Sequence, residues 1–230
     1  DLFWENIDFD KLSSTLYGDI HFFDVGCGAG DYGSYLKKLS KNQFGSYTGL
    51  DINKNERFPN DFTHVLSDAA FAAEYVPEHT NFVMSQSALE HIEEDLRTVE
   101  TITEKLVSYK KPFIQIHVVP ARLSLWLYLL HGWRQYSAAN LGTLFGSLSA
   151  KYNLEVYAVP LGGRHSFISH LLRITLPSMI FKKKINHQNL NRKFSDAVVR
   201  DLKNSHSKFN TFWVCVIASS GVDPGLNWDD

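Results

Sequence analysis

The segment His21-Phe22-Phe23-Asp24-Val25-Gly26-Cys27-Gly28-Ala29-Gly30-Asp31 constrains this chain more than any other. In it an apolar strand pattern runs into three alternating glycines and then into a helical pattern. A side chain at Gly26 or Gly28 would hold a ligand away from the backbone, and glycine also accepts the dihedrals of a tight strand-to-helix turn. Such a turn is built for a nucleotide-like ligand. By itself it is ambiguous, because Gly28-Ala29-Gly30-Asp31-Tyr32-Gly33 also fits the G-x-G-x-x-G spacing of dinucleotide-binding domains.

Around this loop, short β-rich runs alternate with helical patterns, the signature of βαβ units forming a parallel sheet covered on both faces. Strands are expected near 20–25, 46–51, 62–66, 80–85 and 112–119, with two more at 154–160 and 211–218. A helix is expected over 88–109, with Leu89, Ile92, Leu96, Val99, Ile102 and Leu106 at steps of three and four. Ser87 and Glu90 are spaced as a capping box at its start. Helical patterns also cover Arg122 to His131 and Ser137 to Tyr152.

Residues 162–209 read as an insertion. It has one amphipathic stretch through Phe167, Ile168, Leu171, Leu172 and Leu176, then Pro177 and Lys182-Lys183-Lys184, and a second through Phe194, Ala197, Val198 and Leu202. This is expected to be a helical lid; the alternative is an amphipathic piece lying on a membrane. Residues 1–230 read as one domain.

Composition narrows the function classes. With 23 Lys+Arg against 25 Asp+Glu, the chain has no overall attraction for a polyanion, so no nucleic-acid partner is expected. Cys27 and Cys215 make neither a disulfide framework nor a four-ligand zinc site, and no metal is expected. The start of the sequence shows no pattern of a secretory leader, and the most apolar stretch, Phe113 to Leu130, is broken by Gln115, His117, Pro120 and Arg122. A cytoplasmic protein is expected, with membrane association as the alternative.

Two acids break the tie left by the glycines. Asp24 places a carboxylate beside the loop, where a dinucleotide site would hold pyrophosphate, and suits a cationic amino-acid ligand. Asp51 ends the second strand and is placed to accept both ribose hydroxyls. With Ser67-Asp68-Ala69 after the third strand and Ser85-Gln86-Ser87-Ala88-Leu89-Glu90-His91-Ile92 after the fourth, the set resembles the class I methyltransferases that use S-adenosylmethionine (SAM), of the small-molecule type. The resemblance covers about residues 20–120.

It implies a doubly wound α/β fold with seven strands, mostly parallel, the last antiparallel and lying between the fifth and sixth. An insertion before that last strand would then emerge beside the carboxyl end of the fourth. By the same resemblance Asp24 and the backbone of Gly26, Cys27, Gly28 and Gly30 would hold the methionine part of SAM, Asp51 the ribose, and Asp68 with Ala69 the adenine, with Ile52 and Ser67 also among the cofactor-binding residues. Ser85 and Gln86 would lie near the sulfonium. Asp68 also has an ordinary reading as a strand-to-helix turn residue.

SAM carries its own electrophile, so the protein must align an acceptor, exclude water and assist proton removal. His91, His117 and His131 fall after strands four and five and are candidate bases; His117 also reads as a residue inside a helix–sheet interface. Trp133, Arg134 and Tyr136 are candidate acceptor-binding groups, with a helix terminus followed by an N-cap serine as the alternative. The expected reaction is methyl transfer to an oxygen or nitrogen of a small molecule. A loose likeness of 117–137 to glycan-modifying enzymes adds a sugar or phosphosugar. The rivals are an NAD-dependent oxidoreductase, disfavoured by Asp24 and by the lack of a Tyr-x-x-x-Lys pair, and a noncatalytic methyltransferase-like domain of a larger protein.

Overall fold

The computed structural model describes residues 2–122, 134–172, 201 and 210–226. Its strands are β1 (Ile20–Val25), β2 (Phe44–Asp51), β3 (Thr63–Leu66), β4 (Phe82–Gln86), β5 (Ile114–Pro120), β6 (Leu154–Leu161) and β7 (Phe212–Ser219). Its helices are α1 (Leu2–Glu5), α2 (Phe9–Leu16), α3 (Asp31–Ser40), α4 (Ala72–Tyr75), α5 (Asp95–Ser108), α6 (Ala138–Tyr152) and α7 (Arg164–His170).

The strands form one seven-stranded sheet in the order β3-β2-β1-β4-β5-β7-β6. All neighbours are parallel except β7, which runs antiparallel to both β5 and β6. The order reverses between β1 and β4, and a crevice opens at such a switch point beyond the carboxyl ends of the strands.

Every residue of β5 is buried, so the middle of the sheet is covered on both sides. On one face Phe22, Phe82, Met84 and Ile116 meet Trp4 of α1, Leu12 of α2 and Leu36 of α3. On the other, Phe23, Val83 and Val119 meet Ala72 of α4, Ile102 and Leu106 of α5, and Phe145 of α6. Each of the Leu, Ile, Val, Phe and Met side chains among these, fully buried, contributes about 1.5–3 kcal/mol.

The helix after β4 begins later than its apolar periodicity predicts. Ser87 is in the left-handed region, at φ 51°, and so cannot act as an N-cap, which needs extended backbone; no capping box forms. A short 3-10 turn over Leu89–His91 follows, and α5 starts only at Asp95. The periodicity misled because Leu89 is buried in the same core layer as Val99 and Ile102, and Ile92 packs against it, without belonging to their helix. Ser137, by contrast, does cap its helix, accepting a hydrogen bond from Asn140 N.

The insertion leaves β6 at Leu161 and returns at Thr211, whose N–H bonds Leu161 O at 2.9 Å. Phe212 pairs with both Leu161 and Pro120, so the insertion emerges beside the carboxyl end of β5, one strand further from β4 than expected. Its base is fastened by Asp201, which accepts from His165 N, Ser166 N and Ser166 Oγ at the start of α7. Most of the expected lid, including Leu176, Lys182 to Lys184 and Phe194 to Val198, lies outside the described residues, as does the helical pattern beyond Arg122. Among the described residues no helix is long and apolar enough to cross a membrane.

Candidate active site

The loop between β1 and α3 turns through three left-handed glycines, Gly26, Gly28 and Gly30, at φ 80°, 54° and 72°. A Cβ on Gly26 would stand 2.5 Å from Ala88 Cβ, so this loop and the one after β4 can touch only with glycine there. A Cβ on Gly28 would meet nothing within 4 Å, which leaves the space over that residue open to a ligand. Gly26 N and Cys27 N both donate to Leu50 O, tying the loop to β2. The Cys27 side chain is buried, and a Cβ on Gly49 would sit 2.7 Å from its sulfur, so Cys27 faces the core and can offer a ligand only backbone.

Asp24 is 2% exposed. Its Oδ2 accepts from the Tyr47 hydroxyl at 2.5 Å, while Oδ1 is buried without a hydrogen-bond partner. Burial pushes its pKa up to about 7; the Tyr47 bond opposes that shift and the nearby Asp51 adds to it. A buried, unpaired carboxylate oxygen beside an open backbone cradle calls for a cation. Gly33 makes this arrangement possible: a Cβ there would lie 2.7 Å from the Tyr47 ring, which packs over the helix at that point. The third glycine of the G-x-G-x-x-G spacing thus makes room for the tyrosine that orients Asp24. Tyr47 was missed in the sequence, where it reads only as an apolar position of β2.

Asp51, at the end of β2, accepts from Gly28 N at 2.9 Å and from Asn53 N at 2.8 Å, one bond on each carboxylate oxygen. Each oxygen keeps acceptor capacity for a further donor, as two neighbouring hydroxyls would supply. A cleft of about 690 Å³ adjoins it, lined by Gly26, Asp51, Ile52, Asp68, Ala69 and Ala88 among others, with Ser67 and His91 also on its wall. Ile52 is 68% exposed there, an apolar surface suited to a flat ring. Asp68 Oδ1 caps the 3-10 turn Ala69–Phe71 through Ala70 N, so its turn role is real while it also borders the cleft.

Ser85 and His117, neighbours in the β4–β5 register, are completely buried. Ser85 Oγ lies 2.9 Å from His117 Nδ1, His117 Nε2 lies 3.4 Å from Gln115 Oε1, and Gln115 Nε2 donates to Thr103 Oγ1 at 2.7 Å. Thr103 in turn donates to Val99 O. The Gln115 oxygen requires a proton on His117 Nε2, and in the neutral imidazole Ser85 then donates to Nδ1. Burial lowers the His117 pKa to about 4, consistent with that form. His117 and Ser85 therefore serve as links in a core chain between β5 and α5, and His91 is the described histidine that borders the cleft.

Arg134 and Tyr136 converge on Asp95, a buried residue at the start of α5. Arg134 Nη1 lies 2.9 Å from Asp95 Oδ1 and the Tyr136 hydroxyl donates to Asp95 Oδ2 at 2.5 Å. Tyr136 is buried, so the structure uses it to hold the segment after β5 against α5. Nothing in the sequence marked Asp95, one acid in the run Glu93-Glu94-Asp95. His131 and Trp133 lie outside the described residues. Among the described residues no group of His, Cys, Asp and Glu could hold a metal ion.

Glu90 is the second buried acid without a full set of partners: it is 2% exposed, its Oε2 is unpaired, and burial raises its pKa to about 7. Asp24 and Glu90, with raised values, bind protons in the folded chain that the unfolded chain releases; their stabilisation is present at low pH and lost as pH rises through about 7. His117 acts oppositely, its contribution being lost as pH falls toward about 4, and His21, whose pKa burial also lowers, acts in the same direction. The ligand-free wild type is therefore expected to lose more thermal stability between about pH 5.5 and about pH 7.5 than a variant without these two acids. Thermal unfolding of wild type and the Asp24→Asn/Glu90→Gln variant checks this; an equally steep fall in the variant would refute the assignment.

No family model and no curated protein matches the sequence. Solved structures do. The plantazolicin methyltransferase BamL, in complex with a triazolic desmethylPZN analog and SAH, superposes with a TM-score of 0.63 at 16% identity, over 94% of this chain and 82% of that one. The fold is that of the SAM-dependent methyltransferases. A SAM-dependent methyltransferase from Archaeoglobus fulgidus gives 0.56 at 15% identity, over 92% and 91% of the two chains. The Haemonchus contortus phosphoethanolamine N-methyltransferase 2 gives 0.53 at 14%, over 88% of this chain and 49% of that one.

Proposed function

We propose that the protein is a SAM-dependent methyltransferase acting on an oxygen or nitrogen of a small molecule. The observation that carries the reading is Asp24: a buried carboxylate with one unpaired oxygen, set beside the glycine loop, is a site for an ammonium group and a poor one for pyrophosphate. This same feature disfavours the dinucleotide alternative. The methyltransferases of known structure with this fold, some of them solved with SAH, support the reading.

SAM, when bound, supplies an activated methyl group. The chain's residues would do the rest: Asp24 and the backbone of Gly26 to Gly30 hold the amino-acid end, Asp51 the ribose, and Ile52, Ser67, Asp68 and Ala69 the adenine. His91, on the cleft wall, would be the base that takes a proton from the acceptor. A glycan acceptor is the narrower reading. It keeps less support than the sequence offered, because Tyr136 spends its hydroxyl on Asp95, and Arg134 pairs with Asp95 through Nη1 and with Glu93 O through Nη2.

Incubating the protein with SAM labelled in its methyl group, together with fractionated cell extract, is expected to move label into a low-molecular-weight or glycan fraction. A protein that binds SAM yet labels no fraction would instead be the noncatalytic domain.

A further inference from the structure

Gln86, at the carboxyl end of β4, is oriented by a residue from the far end of the sequence. Trp4, with no exposed surface, donates its indole N–H to Gln86 Oε1 at 3.0 Å. An indole nitrogen can only donate, so the carboxamide oxygen must face Trp4 and the NH2 group must face away from it. Trp4 is itself held firmly. Its ring packs against Phe3, Tyr32 and Phe82, with centroids 4.9, 6.5 and 6.3 Å away. The chain just after it is clasped to the far end of the described chain by the Ile7–Leu226 bridge, by Asp8 N donating to Gly225 O at 2.7 Å, and by the Lys11–Asp223 ion pair.

Gln86 also shares a face of the sheet with Asp24. In the β1–β4 register Asp24 stands opposite Met84, and side chains alternate along a strand, so Asp24, Met84 and Gln86 project to the same side. Asp24 offers a buried oxygen that can only accept while ionised; Gln86 offers N–H donors that no described residue accepts. A carboxylate and an amide NH2 on adjacent strands complement the ammonium and carboxylate of an α-amino acid. The NH2 end of an amide dipole is positive, which makes it a poor neighbour for a sulfonium.

We propose that Gln86 binds the carboxylate at the amino-acid end of the cofactor, with Trp4 as the positioning residue that turns its NH2 group toward it. This rests on the SAM reading above, and moves Gln86 from beneath the sulfonium to the opposite end of the methionine moiety.

The test is calorimetric titration with two probes: S-adenosylhomocysteine, which has the amino-acid end, and 5′-methylthioadenosine, which lacks it. Gln86→Glu keeps an acceptor for Trp4 but sets a negative charge where the NH2 was. Trp4→Phe keeps a ring and removes the N–H. Each is expected to weaken S-adenosylhomocysteine roughly tenfold or more, the worth of a charge-assisted hydrogen bond, and to leave methylthioadenosine within about twofold. Unchanged S-adenosylhomocysteine affinity in Gln86→Glu, or equal losses for both probes, overturns the proposal. An effect in Gln86→Glu with none in Trp4→Phe removes Trp4 from it. A wild-type protein that binds neither probe refutes the SAM reading itself, and the proposal with it.

Discussion

Asp51→Ala is expected to abolish measurable S-adenosylhomocysteine binding while the protein stays folded. Both carboxylate oxygens are held in place by backbone donors, Gly28 N at 2.9 Å and Asn53 N at 2.8 Å, so the side chain is already oriented before a ligand arrives. Two hydrogen bonds from ribose hydroxyls to a carboxylate are worth about 1.5–3 kcal/mol each, a combined loss of roughly a hundredfold or more in affinity. The loss of Gly28's partner adds to it, because the loop amide is then no longer pinned against β2. The side chain is only partly buried and belongs to no core layer, so thermal unfolding should shift little. Calorimetric titration decides, and a Kd equal to wild type would mean that Asp51 does not touch the ribose.

The second large effect is on stability. Asp95→Ala should destabilise the fold by about 3 kcal/mol, since it removes the partner of a buried tyrosine hydroxyl and of Arg134 in one step. For a chain of this size that corresponds to a fall in Tm of roughly 10 °C. Tyr136→Phe should cost less, because removing the hydroxyl leaves Asp95 paired with Arg134. S-adenosylhomocysteine affinity should be nearly unchanged in both variants. A melting curve for Asp95→Ala that overlays wild type would show that Asp95 does not anchor the segment after β5 to α5, and would return Arg134 and Tyr136 to consideration as acceptor-binding groups.

The parts of the fold that were legible in the sequence are those set by short-range chemistry. Strand cores such as Phe22-Phe23 and Ile114 to Val118 show apolar runs that only a covered sheet can bury, and Gly26, Gly28 and Gly30 mark backbone that must turn left-handed. Asp24 and Asp51 stand out in the sequence because an acid at the end of an apolar strand has few structural uses. The capping box was misread because Ser87 and Glu90 have the right spacing for it, while the left-handed turn at Ser87 depends on the packing of the loops after β1 and β4, as the contact of Gly26 with Ala88 shows.

Long-range pairings were not legible at all. Trp4 with Gln86, Tyr47 with Asp24, Tyr136 with Asp95 and Asp201 with Ser166 each join residues more than twenty positions apart, and nothing local announces them. His117 shows the same limit: the alternation in β5 placed it on a face, but whether that face met solvent or α5 depended on Thr103.

The most direct test of the account is a titration of the full chain with S-adenosylhomocysteine and, separately, with NAD. The account predicts saturable binding of S-adenosylhomocysteine at one site, weaker below about pH 7, where Asp24 must lose its proton to receive the ammonium, and no binding of NAD. Saturable binding of NAD with none of S-adenosylhomocysteine would contradict it.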